Sequence, residues 1–263
     1  MPESVAIVTG GSSGIGLAAA RALRDQGLTV YILSRRPFSE KGLHHICCDV
    51  ADERQCAEAV ETVLRREGDV DLLVNCAGFG ISGAVEFTKL ADAKKQMEVN
   101  FFGCVNMTKA ALSYLRERGN GHIVNISSVA APAAIPFQAY YSATKAAINA
   151  WTAALANELR PYGVSVTAVQ PGDIKTGFTA AREKSVEGDE AYGGRISRSV
   201  AKMEHDEQNG MDPAKAGAYV AKIALKKHPK PVYTIGFSYK AICILLKLLP
   251  SRLANWLIGK LYA

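Results

Sequence analysis

The chain lacks the marks by which several classes of protein are recognised. Its six cysteines (Cys47, Cys48, Cys56, Cys76, Cys104 and Cys243) form no CxxC pair and none of the paired spacings of small secreted scaffolds. That excludes a disulfide framework and fits a reducing compartment. The five histidines fall in no HxxxH or Cys/His ligand pattern, so no metal is expected. The apolar run near the N-terminus is too short for the core of a secretory signal, and a cytoplasmic location is expected. Charge of one sign is also scarce: 31 basic against 25 acidic side chains leave +6, too mild and too scattered to argue for nucleic acid. At 21% charged and 48% apolar, the composition excludes a disordered tail, a collagen-like repeat and a polytopic membrane protein.

What is present is a rhythm. Short apolar runs rich in β-branched residues recur at 5–9, 29–33, 46–48, 72–75, 122–127, 164–170 and 232–235, with stretches of helical period between them. Strands buried on both faces read this way, which predicts an α/β fold: a single doubly wound Rossmann domain over 1–236. Its seven-stranded parallel sheet should have the order 3-2-1-4-5-6-7, with helices on both faces. Two segments break the rhythm. Residues 178–210 are polar and charge-dense and read as a flexible substrate lid. Residues 237–263 hold 18 apolar and four basic side chains and no acid, an amphipathic extension.

The first strand runs into Thr9-Gly10-Gly11-Ser12-Ser13-Gly14-Ile15-Gly16. Gly10 suits a tight turn, Gly14 lets backbone approach a pyrophosphate, and Gly16 allows close packing of the helix. Ser12, Ser13 and Ile15 complete a cradle whose helix N-terminus offers free N–H groups to the anion. Where an NAD-preferring protein carries an acid, after the second strand, this chain has Ser34-Arg35-Arg36. Guanidinium groups pair with a 2′-phosphate that a carboxylate would repel, so NADP(H) is the expected cofactor.

At the start of a long helical stretch reaching about residue 162, Tyr141 and Lys145 are four residues apart and share one face. An ammonium ~4 Å from a phenol at an effective dielectric near 20 favours the phenolate by up to ~4 kcal/mol, about three pKa units. Tyr141 is therefore expected to act as an acid–base group near neutrality. Tyr140 has Thr144 four places on and gains no such partner.

Taken in order, Thr9-Gly10-x-x-x-Gly14-Ile15-Gly16, Asp49-Val50, Asn75-Cys76-Ala77-Gly78, Asn100, Ser128, Tyr141-x-x-x-Lys145 and Pro171-Gly172-x-x-x-Thr176 make the chain resemble the short-chain dehydrogenase/reductase family over about residues 4–236. The resemblance implies hydride transfer between a nicotinamide and a carbonyl or secondary alcohol. Asn100, Ser128, Tyr141 and Lys145 would be catalytic: Ser128 and Tyr141 contact the substrate oxygen, Lys145 tunes the phenol and holds the nicotinamide ribose, and Asn100 keeps a proton-relay water. Asp49 would receive the adenine amino group and Val50 add backbone contacts. Asn75, Ala77 and Gly78 would pass beneath the adenine ribose, and Pro171, Gly172, Ile174 and Thr176 would grip the carboxamide. Cys76, where the family commonly has a second Asn, reads as a small buried filler rather than a redox thiol.

The stretches at 75–86 and 228–231, with the apolar tail, are most similar to the hydroxysteroid and lipid-ketone reductases of that family. They imply an apolar carbonyl or alcohol substrate, and the family resemblance as a whole implies a homodimer or homotetramer. A 3-oxoacyl-carrier-protein-type reductase and a non-catalytic NADP-sensing protein are the alternatives. The tail counts against the first and the intact Ser128, Tyr141 and Lys145 against the second. Within the tail, Pro250 interrupts the apolar segment, so it cannot span a bilayer. Leu253, Trp256, Leu257 and Leu261 follow helical spacing. That face packs on the protein's own pocket, on a second copy, or on an anionic membrane surface as a peripheral contact.

Overall fold

The computed structural model describes residues 4–262. Seven strands form one all-parallel sheet: β1 (Val5–Thr9), β2 (Thr29–Ser34), β3 (His44–Cys47), β4 (Leu72–Asn75), β6 (Gly121–Ile126), β7 (Val164–Gln170) and β9 (Val232–Thr234). Their spatial order is β3-β2-β1-β4-β6-β7-β9. This is the expected order once the small parallel pair β5 (Ile81–Ser82) and β8 (Glu183–Lys184) is set aside.

The two-sided burial that made the strands legible is visible in β1. Val5 and Ile7 pack into a core with α2 (Glu53–Glu67), α4 (Gly103–Arg118) and α5 (Ala139–Leu159), while Ala6 and Val8 face α1 (Gly14–Arg24) and α8 (Pro213–Ala224). Period-two side chains on a fully buried strand leave no polar face. Each fully buried Val, Leu or Ile contributes about 1.5–3 kcal/mol, so the sheet is stabilised from both sides. Between them, α3 (Leu90–Met97) passes through a wide helical turn, Glu98–Phe102, into α4. The strand order reverses between β1 and β4, which opens a crevice at their carboxyl ends.

The segment predicted as a lid carries regular structure: a single turn α6 (Phe178–Ala181), β8, and the 14-residue α7 (Arg195–Gln208). Helix α7 buries Ile196, Val200 and Met203 beside Ala84, Phe137 and Tyr192. The tail forms two helices, α9 (Phe237–Leu248) and α10 (Ser251–Tyr262). On α10 the inward residue is Ile258, whereas Leu253, Trp256 and Leu261 are 43%, 57% and 54% exposed. Three of the four residues of the stripe read from spacing are thus open to solvent, while Leu257 is half-buried. Among the described residues no helix is long and apolar enough to cross a membrane.

Candidate active site

The strand-to-helix turn after β1 is built by close approach. Gly10 takes φ +64°, and a Cβ there would lie 2.9 Å from the Ala77 Cα; a Cβ on Gly16 would collide with the Gly10 carbonyl. Gly16 thus lets the helix fold back onto the turn itself rather than onto the sheet. Ser13, the N-cap of α1, is extended and makes no side-chain cap, and no acid stands in the first turn. The positive end of the helix is left for an outside anion. Thr9 accepts hydrogen bonds from the backbone N–H groups of Cys76 and Ala77, at 3.0 and 3.1 Å, and so ties this turn to the one after β4.

These turns border one cleft of about 640 Å³. Its lining includes Gly10, Ser12, Ser13, Gly14, Ile15, Gly16, Arg35, Arg36, Asp49, Val50, Ala77, Gly78, Ser128, Tyr141, Lys145, Pro171, Gly172, Ile174 and Thr176. Arg35 and Arg36 are exposed at its rim, and among the described residues no carboxylate pairs with either guanidinium. Thr176 faces Gly14 across the cleft, 3.6 Å from where a Cβ would stand.

Two expected residues lie behind the wall. Asn75 turns into the core, where its Nδ2 donates to Asn125 Oδ1 (2.9 Å) and Thr108 Oγ1 (3.1 Å); Asn125 in turn donates to Thr152. Asn100 sits in the wide turn before α4. Its amide accepts from the Phe79 N–H and donates to the Phe79 carbonyl, both at 2.9 Å, and donates to Thr144 at 3.2 Å. Tyr140 lies outside the cleft lining.

At the far end, helix α5 presents Tyr141 and Lys145 on one face, as their spacing predicts. The Ser128 hydroxyl accepts the Ala130 N–H at 3.1 Å and lies near enough to the Tyr141 phenol to oppose its upward shift. Neighbouring Ser127 instead donates to the Lys145 carbonyl at 3.1 Å and steadies the helix. Lys145 is buried; its Nζ donates to the Ile126 carbonyl at 2.9 Å and lies 5.6 Å from the centroid of the Tyr141 ring.

This corrects the expected electrostatics. Burial pushes the Tyr141 phenol up to about 12, with the nearby Ser128 hydroxyl and the Arg182 charge only partly opposing it. Burial also pushes Lys145 down to about 8. No hydrogen bond joins the ammonium to the phenol, and desolvation, which penalises both charged forms, is the largest influence on each. The Cys76 thiol is raised by burial to about 11, which makes it a filler rather than a thiolate at neutral pH.

Several lining residues carried no sequence signal because they arrive from distant segments: Phe79, Ile135, Gln138, Phe178, Met203, Glu207 and Tyr262. The Phe178 ring lies 5.8 Å from the Tyr141 ring with the planes tilted by 56°, and the Arg182 guanidinium lies over the Phe178 ring at 5.5 Å. Arg182 is in turn paired with Glu207, which also accepts from the Thr179 hydroxyl at 2.6 Å.

Residues 4–187 match the family model described as short chain dehydrogenase. The chain is 40% identical over 232 residues to the 3-ketodihydrosphingosine reductase of Bacteroides thetaiotaomicron, covering 87% of this chain and 86% of that one. It superposes on a short-chain dehydrogenase from Streptomyces avermitilis with a TM-score of 0.86 and 31% identity, over 97% and 96% of the two chains. ElxO with NADP bound aligns at a TM-score of 0.75 and 27% identity, over 92% of this chain and 100% of that one. The 3-ketoacyl-(acyl-carrier-protein) reductase from Brucella melitensis complexed with NADH aligns at 0.76 and 25%, over 89% and 98%. With the family's serine, tyrosine and lysine gathered in one cleft at the sheet's switch point, and with these matches over most of its length, the chain belongs to the short chain dehydrogenase family of oxidoreductases.

Proposed function

We propose that the protein is an NADP(H)-dependent reductase that converts the ketone of an apolar, long-chain lipid into a secondary alcohol. The observation that carries this reading is a single cleft that holds Ser128, Tyr141 and Lys145 together with Arg35 and Arg36, neither of which pairs with a carboxylate among the described residues. The cofactor fits the groups present. The turn from Gly10 to Gly16, with Ser12, Ser13 and Ile15, and the uncapped start of α1 hold the pyrophosphate. Arg35 and Arg36 take the 2′-phosphate, Asp49 and Val50 the adenine, and Ala77 and Gly78, set in place by Asn75, the adenine ribose. Lys145 and Tyr141 take the nicotinamide ribose, and Pro171, Gly172, Ile174 and Thr176 the carboxamide.

When bound, the nicotinamide supplies the hydride for the carbonyl carbon. Tyr141, protonated at neutral pH because burial raises it to about 12, donates its proton to the carbonyl oxygen as that oxygen gains charge. Ser128 donates a hydrogen bond to the same oxygen. Lys145, still mostly protonated at pH 7, stabilises the phenolate left behind, and Asn100, beside it across Gly78, keeps the path for proton return. At neutral pH the phenol thus holds the proton that reduction consumes.

The substrate end is lined by Ile135, Phe178, Ala181, Met203 and Tyr262, with Phe178 and Met203 on the 178–210 segment acting as its lid. Likeness to a reductase of a keto lipid supports the lipid class. The test is loss of NADPH absorbance across long-chain ketones, steroids, acyl thioesters, quinones and sugars. Preference for the long-chain ketones is expected, and turnover confined to sugars or thioesters overturns the reading.

A further inference from the structure

The tail has two unlike faces. Its inner face belongs to the site: a Cβ on Gly172 would collide with the Tyr239 ring, Tyr239 donates to the Asp173 carboxylate, and Tyr262 lines the cleft. Its outer face is apolar and open. On α9, Phe237, Ala241, Leu245 and Leu248 recur at intervals of three or four and fall on one stripe; Phe237 is 90% and Leu248 78% exposed. On α10, Trp256 is 57% exposed, with Leu253 and Leu261 also open to solvent. Burying such side chains is favourable, and several exposed together are more than single scattered apolar residues.

Charge decides what covers this face. Residues 237–263 contain Lys240, Lys247, Arg252 and Lys260 and no acidic residue. A two-fold contact of the tail with its own copy would bring like charges together with no tail carboxylate to pair them. An anionic lipid surface offers both an apolar layer and negative headgroups, and Trp256, with Lys260 6.0 Å above its ring, has the amphipathic form that settles at that boundary. We propose that the α9–α10 pair seats on an anionic phospholipid bilayer through this face, with the mouth of the cleft, marked by Tyr262, beside the lipid. The inference rests on the lipid-substrate reading only for its purpose: vesicle binding is measured without turnover, so either can fail alone.

The test uses the full chain with vesicles of phosphatidylcholine alone or mixed with phosphatidylglycerol. Flotation with the mixed vesicles and a blue shift of tryptophan emission that Trp256→Phe removes are expected; Trp151 is packed against the core and supplies a constant background. Reversing three exposed charges in Lys240→Glu, Lys247→Glu and Arg252→Glu should weaken binding at least 100-fold, at about fivefold for each charge near the surface. These side chains stand in solvent, so the variant keeps its fold, and its turnover of a short water-soluble ketone should match the parent. No flotation, equal binding to neutral and anionic vesicles, unchanged binding of the triple variant, or a stable tail-mediated dimer that ignores vesicles would each overturn the proposal.

Discussion

The Nζ of Lys145 gives its hydrogen bond to the carbonyl of Ile126, not to the hydroxyl of Tyr141, although the two side chains share a face of α5. The lysine is thereby held with its Nζ 5.6 Å from the ring centroid, while both groups are desolvated. Its amine therefore titrates far closer to neutrality than the phenol.

A pH profile follows. Lys145 is lowered to about 8, so its charge is present below that pH and is lost as pH rises through it. Tyr141, near 12, keeps its proton throughout. Ketone reduction should hold steady from pH 6 to about 7.5 and fall above 8, a limb that Lys145→Met removes along with most activity. A rise in reduction between pH 8 and 10 would contradict this assignment.

Reversing Arg35 and Arg36 to Glu should raise the KM for NADPH by about 10- to 100-fold. Charge-assisted hydrogen bonds contribute roughly 1.5–3 kcal/mol. The KM for NADH should move little. Steady-state kinetics with both cofactors decide it, and equal use of the two by the parent protein would remove the argument from the arginines.

His122 ties the fold to pH. It is buried, its Nδ1 donates to the Ala224 carbonyl at 2.8 Å, and Nε2 meets the Thr167 hydroxyl at 2.9 Å. Burial holds it down to about 4 from 6.5. The unfolded chain binds a proton that the folded chain refuses, so stability is full above pH 6.5 and is lost as pH falls toward 4. Urea midpoints should show about 2 kcal/mol less stability at pH 5 than at pH 7.5 from this site. His122→Asn should flatten that part of the curve.

Arg182, whose side chain is 1% exposed, depends on Glu207 for its ion pair. Glu207→Gln should cost about 3–5 kcal/mol, the usual penalty for leaving one partner of a buried pair. Because Arg182 lies over the Phe178 ring and Phe178 packs against Tyr141, kcat should fall with it. Thermal melts and kinetics on the same preparation check both effects.

The sheet was legible because its strands are buried on two sides, and the cofactor cradle because glycines at fixed offsets answer to backbone geometry. The Tyr141–Lys145 face was legible from helical period alone. The sign of the pKa shifts was not, because desolvation depends on what the rest of the chain places over α5. Phe178, Arg182 and Glu207 gave no local pattern; Phe178 meets Tyr141, and Arg182 meets Glu207, only when segments many residues apart are brought together. The strands β5 and β8, two residues each, are too short for any periodicity. Asn75, by contrast, gave a strong motif, and the structure directs its side chain into the core.

The central claim is that the buried Tyr141 phenol delivers the proton. Its most direct test is single-turnover reduction of a long-chain ketone by Tyr141→Phe, with NADPH affinity measured on the same sample. The account predicts a loss of about 10²- to 10⁴-fold in the chemical step, the range for a positioned general acid, with NADPH binding nearly unchanged. Reduction within tenfold of the parent rate would contradict it.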